Sequence, residues 1–245
     1  MRILRLTNST DLHVGVPPEL RASAVVERVV GEATGETVES MVRAIWPTPG
    51  LPDHVERWIE HFQPDVVFLR ASSFWCTYES VPLRIERRLG RLGKPVASAG
   101  LRLGDRAWLV ERRSFKLARQ ALGRTIGGDP HFTPEQASGV VAEVLLRAVA
   151  RESTVAVVRG PAQFHNSAGT AAGYRRAQAR LTALDSLTAE ACRKLHVRYL
   201  SASGTNDDSS FRLEDDLHDT EAAHRVMGEL EGQLIAEEWL AARRR

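Results

Sequence analysis

Cysteine is scarce in this chain: Cys76 and Cys192 are the only two among 245 residues. Two thiols cannot form a disulfide framework and read most simply as free thiols in a reducing compartment. Long apolar runs are also missing, so no segment reads as a bilayer-spanning helix. The sequence opens on a strand-like segment without the basic leader, apolar core and small-residue cleavage site of a secretory signal. These absences lead to the expectation of a cytoplasmic protein. Charge of one sign is nearly absent in the total, which is +2, and that sum does not call for nucleic acid. The compact basic run Arg243-Arg244-Arg245 reads as a solvated tail. Residues 123–128 carry neither a dinucleotide fingerprint nor the Lys-Ser/Thr of a P-loop, so nucleotide binding is not supported. No internal repeat or low-complexity segment is visible.

What the chain does have is 43% apolar residues, ample for one large core, in a pattern of alternating strands and helices. Ile3 to Leu6 reads as a strand ending in the polar stretch Thr7-Asn8-Ser9-Thr10-Asp11. A helix opens at Pro17-Pro18-Glu19 and carries Leu20, Val25, Val26 and Val29 at helical spacing. Thr37 to Trp46 holds a weaker strand, broken by Pro47-Thr48-Pro49-Gly50, and Val55, Trp58, Ile59 and Phe62 mark the next helix. Val66 to Leu69 and Thr154 to Val158 are continuous apolar runs, as expected of strands buried on both faces. Between them come a polar loop from Ser72 to Cys76, a charged helix over 79–92, and a short strand over Lys94 to Ala97. Residues 100–132 read as a lid or insertion, and Thr133-Pro134-Glu135 starts a helix to about Arg151. A long helix ending at Lys194, a strand over Val197 to Leu200, a loop over 203–210 and a helix from about Thr220 to Ala242 complete the chain. This alternation predicts a single α/β domain with a mainly parallel five-stranded sheet covered on both faces. In such sheets ligands bind beyond the carboxyl ends of the strands, which directs attention to residues 7–13, 46–51, 71–78, 160–170 and 201–218.

Two of those loops carry a chemical pattern. Ser9 follows the first strand, and Asp215-Asp216-Leu217-His218 precedes the last helix. A serine hydroxyl needs a neighbouring base to take its proton, histidine titrates in the right range, and a carboxylate orients the imidazole. Taken alone, Ser9 reads as a capping residue and Asp215 and Asp216 as acids drawn to a helix start. Their joint placement is what favours an acyl-transfer triad.

The stretch Ile3-Leu4-Arg5-Leu6-Thr7-Asn8-Ser9 resembles the first block of the SGNH (GDSL-type) hydrolases, in which a strand ends in Gly-Asp-Ser. Pro64-Asp65-Val66-Val67-Phe68-Leu69 is similar to the strand entering that family's third block. Asp215 to His224 is similar to its last block, Asp-x-x-His before the final helix. The resemblance implies a three-layer, flavodoxin-like α/β/α fold. It also implies a triad of Ser9 as nucleophile, His218 as base and Asp215 as its orienting acid, with no metal or organic cofactor. The chain departs from the family pattern where Thr7-Asn8 replaces Gly-Asp, Trp46 to Gly50 replaces the second block's glycine, and Ser72-Ser73-Phe74-Trp75 replaces Gly-x-Asn-Asp. Candidates for oxyanion or substrate contacts are therefore Asn8, Thr48, Ser72, Ser73, Tyr78 and Asn166.

Other residues are weighed beside these. His13 lies close to Ser9 in sequence, and Cys76 is a rival nucleophile unless buried. Trp75, Tyr78 and Glu79 are pocket or core residues, and Arg159, Gln163, His165 and Asn166 are placed to meet a polar substrate. His224, six residues after His218, fits no zinc signature and is expected to make a structural hydrogen bond. The expected function is serine-dependent hydrolysis of an ester or acyl group on a small polar or acylated metabolite. The rivals are non-hydrolytic biosynthetic chemistry on the same fold (acyl transfer, elimination or intramolecular displacement) and a non-catalytic partner with a degenerate site. The expected partner is a small-molecule substrate, with no nucleic acid and no membrane, and assembly is left open between homo- and hetero-oligomer.

Overall fold

The computed structural model describes all residues except 13–14, 91–93, 96–97, 99–120, 122–124, 126, 163–169, 203–210, 212–218 and 245. The described chain falls into two compact units. One comprises Met1–Ser72, Glu135–Gln163 and Leu184–Arg245, and the other Ser73–Pro134 and Phe164–Ala183.

The first unit is built on five parallel strands, β1 (Arg2–Thr7), β2 (Glu39–Ala44), β3 (Val66–Arg70), β6 (Val155–Arg159) and β7 (Arg198–Leu200), in the order β2-β1-β3-β6-β7. All five residues of β3 are buried, which accounts for its unbroken apolar run. Side chains alternate between the faces of the sheet. Ile3, Val66, Phe68 and Val157 point to one face and form a core with α1 (Ala22–Thr34) and α7 (Glu221–Ala242), through Val26, Val30, Leu234, Ile235 and Trp239. Arg2 points to the opposite face, where its guanidinium lies 4.4 Å from the ring centre of Phe62 on α2 (Leu51–Phe62). Arg147 and Arg151, on and just after α5 (Pro134–Val149), pair with Asp53, Glu56 and Glu60, so α2 and α5 lie side by side in that layer. The result is a three-layer α/β/α fold, as the alternation predicted.

Helices α1 and α7 cross closely because α7 presents glycine where they meet. A Cβ on Gly228 would stand 2.5 Å from Val25 Cβ, and one on Gly232 would stand 2.8 Å from Val29 Cβ. Thr220 caps α7 by accepting the Ala223 N–H. The first amide of α1, Ala22 N–H, has no cap from its own helix and donates to His224 Nδ1 on α7 at 3.1 Å. A helix-start amide is an orphan donor, so the interhelical bond supplies what the local sequence does not. This is the structural role expected of His224.

The second unit contains α3 (Phe74–Thr77), the short antiparallel pair β4 (Glu79–Ser80) and β5 (Asp129–Pro130), α4 (Val81–Leu89) and the first half of α6 (Ala171–Lys194). Several sequence expectations are corrected. The 72–76 stretch is a serine pair followed by one helical turn rather than an open loop. Lys94 and Pro95 are helical rather than extended, and Val96 and Ala97 lie outside the described residues. The helix expected at Pro17 starts at Ala22, because Arg21 is extended (ψ 155°) and divides it from a 3-10 turn at Pro18–Leu20. Residues 100–132, apart from 121, 125 and 127–132, lie outside the described residues.

Candidate functional site at the carboxyl edge of the sheet

From β1 the chain moves to β2 on one side and then returns to β3 on the other, so strand order reverses between β1 and β3. The crevice beyond such a reversal is the usual ligand position in an open α/β sheet. Ser9 leaves β1 and Ser72 follows β3, one on each side of this point.

Ser9 opens a 3-10 turn, Ser9–Leu12, and is exposed, whereas Thr10 and Asp11 are buried. The turn is fixed from three directions. Thr7 O accepts the Ile45 N–H at 2.9 Å, extending the β1–β2 pairing beyond its last rung. Asn8 Oδ1 accepts the Thr10 N–H at 3.1 Å, a local bond that folds the chain back. Asp11 then reaches under the turn to two arginines, accepting from Arg5 Nη2 at 3.0 Å and from Arg70 Nη1 at 2.9 Å.

Those contacts belong to a buried ion network absent from the sequence expectations. Arg5 pairs in register with Phe68, two residues before Arg70, and Arg70 pairs with Arg159, so all three guanidinium groups rise from one face of three adjacent strands. Glu231, in the middle of α7, lies among them. It accepts a two-pronged bond from Arg70 (Nε at 2.8 Å, Nη2 at 2.9 Å), one from Arg5 Nη2 at 2.8 Å and one from Arg159 Nη1 at 2.9 Å. The Arg5 guanidinium also lies 4.9 Å from the ring centre of Phe68. Burial opposes the charge on Asp11, but Arg70 and Arg5 outweigh it and hold the carboxyl at about 2. For Glu231, burial is likewise overcome by Arg70, Arg5 and Arg159, and its carboxyl too is held below the usual range. Burial lowers the His224 imidazole, in keeping with a neutral ring that accepts the Ala22 amide proton at Nδ1. The Ser9 turn is thus tied by charge through the top of the sheet to the last helix. The available sequence signal was an arginine near the carboxyl end of three otherwise apolar strands, matched by an acid at a buried turn of the last helix.

The structure places the other candidates as follows. Thr48 is exposed beyond β2, in the turn closed by Leu51 N–H to Thr48 O at 3.0 Å. Ser72 is 95% buried and follows Ala71, whose N–H donates to Arg159 O at 2.9 Å. Ser73 is absorbed in starting α3, its carbonyl accepting from the Cys76 and Thr77 amides. Tyr78 is half-buried and stacks on Phe74 with ring centres 4.5 Å apart. Glu79 bonds Arg180, and Trp75 is a core residue at 2% exposure. Two readings are corrected. Arg159 does not face a substrate, because it is consumed by Glu231 inside the protein. Cys76 is fully buried inside α3 and is not a rival nucleophile. Asp215, His218, His13, Gln163, His165 and Asn166 lie outside the described residues. No group of acids, histidines and cysteines suited to a metal occurs among the described residues.

No family model and no curated protein sequence matches the chain. Solved structures do. A psychrotrophic esterase from Pseudoalteromonas sp. aligns over 98% of both chains with a TM-score of 0.58 at 11% identity. A lipase/acylhydrolase from Enterococcus faecalis aligns over 96% of this chain and 95% of its own, with a TM-score of 0.55 at 14% identity. A protein assigned to the G-D-S-L lipolytic family, from Desulfitobacterium hafniense, aligns over 95% and 98% with a TM-score of 0.51 at 7% identity. The fold is therefore that of the SGNH (GDSL-type) hydrolases, as the sequence blocks led one to expect.

Proposed function

We propose that this protein is a serine-dependent hydrolase of ester or acyl bonds on a small polar or acylated metabolite, with Ser9 as nucleophile, His218 as base and Asp215 as orienting acid. The observation that carries the reading is Ser9 itself. It is an exposed hydroxyl on a turn anchored at Thr7, Asn8 and Asp11, beside the point where strand order reverses. Rigid anchoring suits a nucleophile, because catalysis depends on holding the reacting groups in a near-attack geometry.

In this reading Ser9 Oγ attacks the acyl carbon while His218 accepts its proton. The collapsing intermediate expels the leaving group, which takes that proton from His218, and leaves an acyl-Ser9. Water, deprotonated by His218, then attacks the acyl carbon and releases the acid and the serine. The Ser9 backbone N–H is one donor for the developing oxyanion. Asn8 keeps its amide NH2 group for a second, since its Oδ1 is already taken by the Thr10 amide.

The test is turnover of short-chain p-nitrophenyl esters by the wild type and Ser9→Ala side by side. The expected result is wild-type turnover that falls by about a thousandfold or more in the variant. Equal turnover by both, or none by the well-folded wild type, would overturn the reading.

A further inference from the structure

The small total charge conceals a segregation that follows the two units. The second unit carries fifteen lysines and arginines against five aspartates and glutamates, a net of +10. The first unit, with eighteen against twenty-six, carries −8. Charge asymmetry of this size between parts of one chain is a signature of an electrostatic partner.

Of the three described acids in the second unit, Glu79 and Asp129 are engaged by arginines, and Glu86, half-buried on α4, makes no ion pair among the described residues. Glu79 on β4 meets Arg180 at 2.5 Å and Arg176 at 3.7 Å, and Asp129 on β5 meets Arg87 at 3.5 Å and Arg84 at 3.9 Å. Arg88, Lys94 and Arg175 are exposed and form no ion pair among the described residues. The cations are interleaved with aliphatic side chains. Helix α4 reads Val-Pro-Leu-Arg-Ile-Glu-Arg-Arg-Leu, none of its nine residues is fully buried, and Leu89 at its end is 56% exposed beside exposed Arg87 and Arg88. A concavity of about 460 Å³ next to it is lined by Leu83, Glu86, Arg87, Gly90 and Lys94, so two cations, one acid and an aliphatic group border it.

We infer that the second unit docks on an anionic lipid surface through α4, with Arg87, Arg88 and Lys94 meeting headgroups and Leu89 entering the boundary with the acyl chains. Charge complementarity supplies the attraction. The exposed leucine among the arginines selects lipid over nucleic acid, because phosphate backbones take cations alone whereas a membrane interface takes both. No described helix is long and apolar enough to cross a membrane, and interfacial docking requires none. The inference departs from the expectation of no membrane partner, which rested on total charge and the lack of a spanning run. It stands independently of the hydrolase reading.

The experiment is flotation of the full chain with phosphatidylcholine vesicles, with and without about one-third phosphatidylglycerol, at low salt and at about 0.15 M salt. Binding is expected only with phosphatidylglycerol and is expected to weaken with salt. Each basic residue near such a surface multiplies partitioning by roughly fivefold, so Arg87→Gln with Arg88→Gln should lower it roughly twenty-five-fold. Leu89→Ser should lower it several-fold without changing the circular dichroism spectrum. Three results would overturn the inference. One is equal partitioning to both vesicle types or to neither. Another is salt-sensitive binding to a DNA duplex that Leu89→Ser leaves unchanged while vesicle binding is absent. The third is salt-sensitive self-association in place of vesicle binding, which would assign the cationic face to a second copy of the chain.

Discussion

Asp11 carries its charge out of contact with water and with two arginines against it. Removing one partner of a buried ion pair strands the other, at a typical cost of about 3–5 kcal/mol. Asp11→Asn, which keeps the side chain's shape, should therefore lower the melting temperature at neutral pH by roughly 10 °C. The pH dependence follows from the direction of the shift. The folded carboxyl titrates at about 2, below its ordinary 3.8. Its contribution is thus fully present above about pH 4 and is lost as pH falls towards 2, amounting to about 2 kcal/mol. Glu231, also shifted down, acts in the same sense. Denaturant titrations of wild type and Asp11→Asn from pH 7 to pH 2.5 check both points. The two stability curves should converge on acidification, and a constant gap would contradict the ion-network account.

At the scale of elements, the crossing of α1 and α7 is set by two glycines one helical turn apart. Gly228→Ala should destabilise by about 1–3 kcal/mol, because the new Cβ meets Val25 and the Ala22 carbonyl and the helices cannot separate freely. Gly139→Ala on α5 is the control of opposite sign. Nothing lies within 4 Å of its Cβ position, so alanine should stabilise by about 0.5–1 kcal/mol through helix propensity. Chemical denaturation of both variants checks the pair, and a loss at Gly139 or a gain at Gly228 would contradict the packing described. The same elements show what sequence can and cannot reveal. β3 and β6 were legible because strands buried on both faces need unbroken apolar runs, and α7 because Thr220 and its apolar spacing mark a helix start. β4 and β5 were not, since two residues carry no periodicity and their pairing spans nearly fifty residues. Arg5, Arg70 and Glu231 were passed over, and Arg159 was assigned to a polar substrate, because a charge inside an apolar run reads as a solvent-facing position. Only the register of three strands brings those charges together.

For the whole molecule, two arrangements matter. One is the parallel sheet, in which Ser9 follows β1 and Ser72 follows β3, the two strands between which the order reverses. The alternation of elements led to the parallel sheet and to the loops after its strands, whereas the strand order was not legible because it depends on pairings between distant segments. The other is the uneven division of charge along the chain, +10 in the sequence of one unit and −8 in that of the other, which a total of +2 conceals because the two sums nearly cancel. The proposed activity joins Ser9 to Asp215 and His218, and the measurement that tests it most directly is covalent labelling by an alkyl fluorophosphonate. Such a reagent captures a serine only when a base activates it, and needs no knowledge of the natural substrate. Peptide mass mapping should find one phosphonylated residue, Ser9, and labelling should vanish in Ser9→Ala and fall by at least about a hundredfold in His218→Ala. Labelling elsewhere, or a wild-type protein that is folded yet inert to the reagent, would contradict the account of Ser9 as an activated nucleophile.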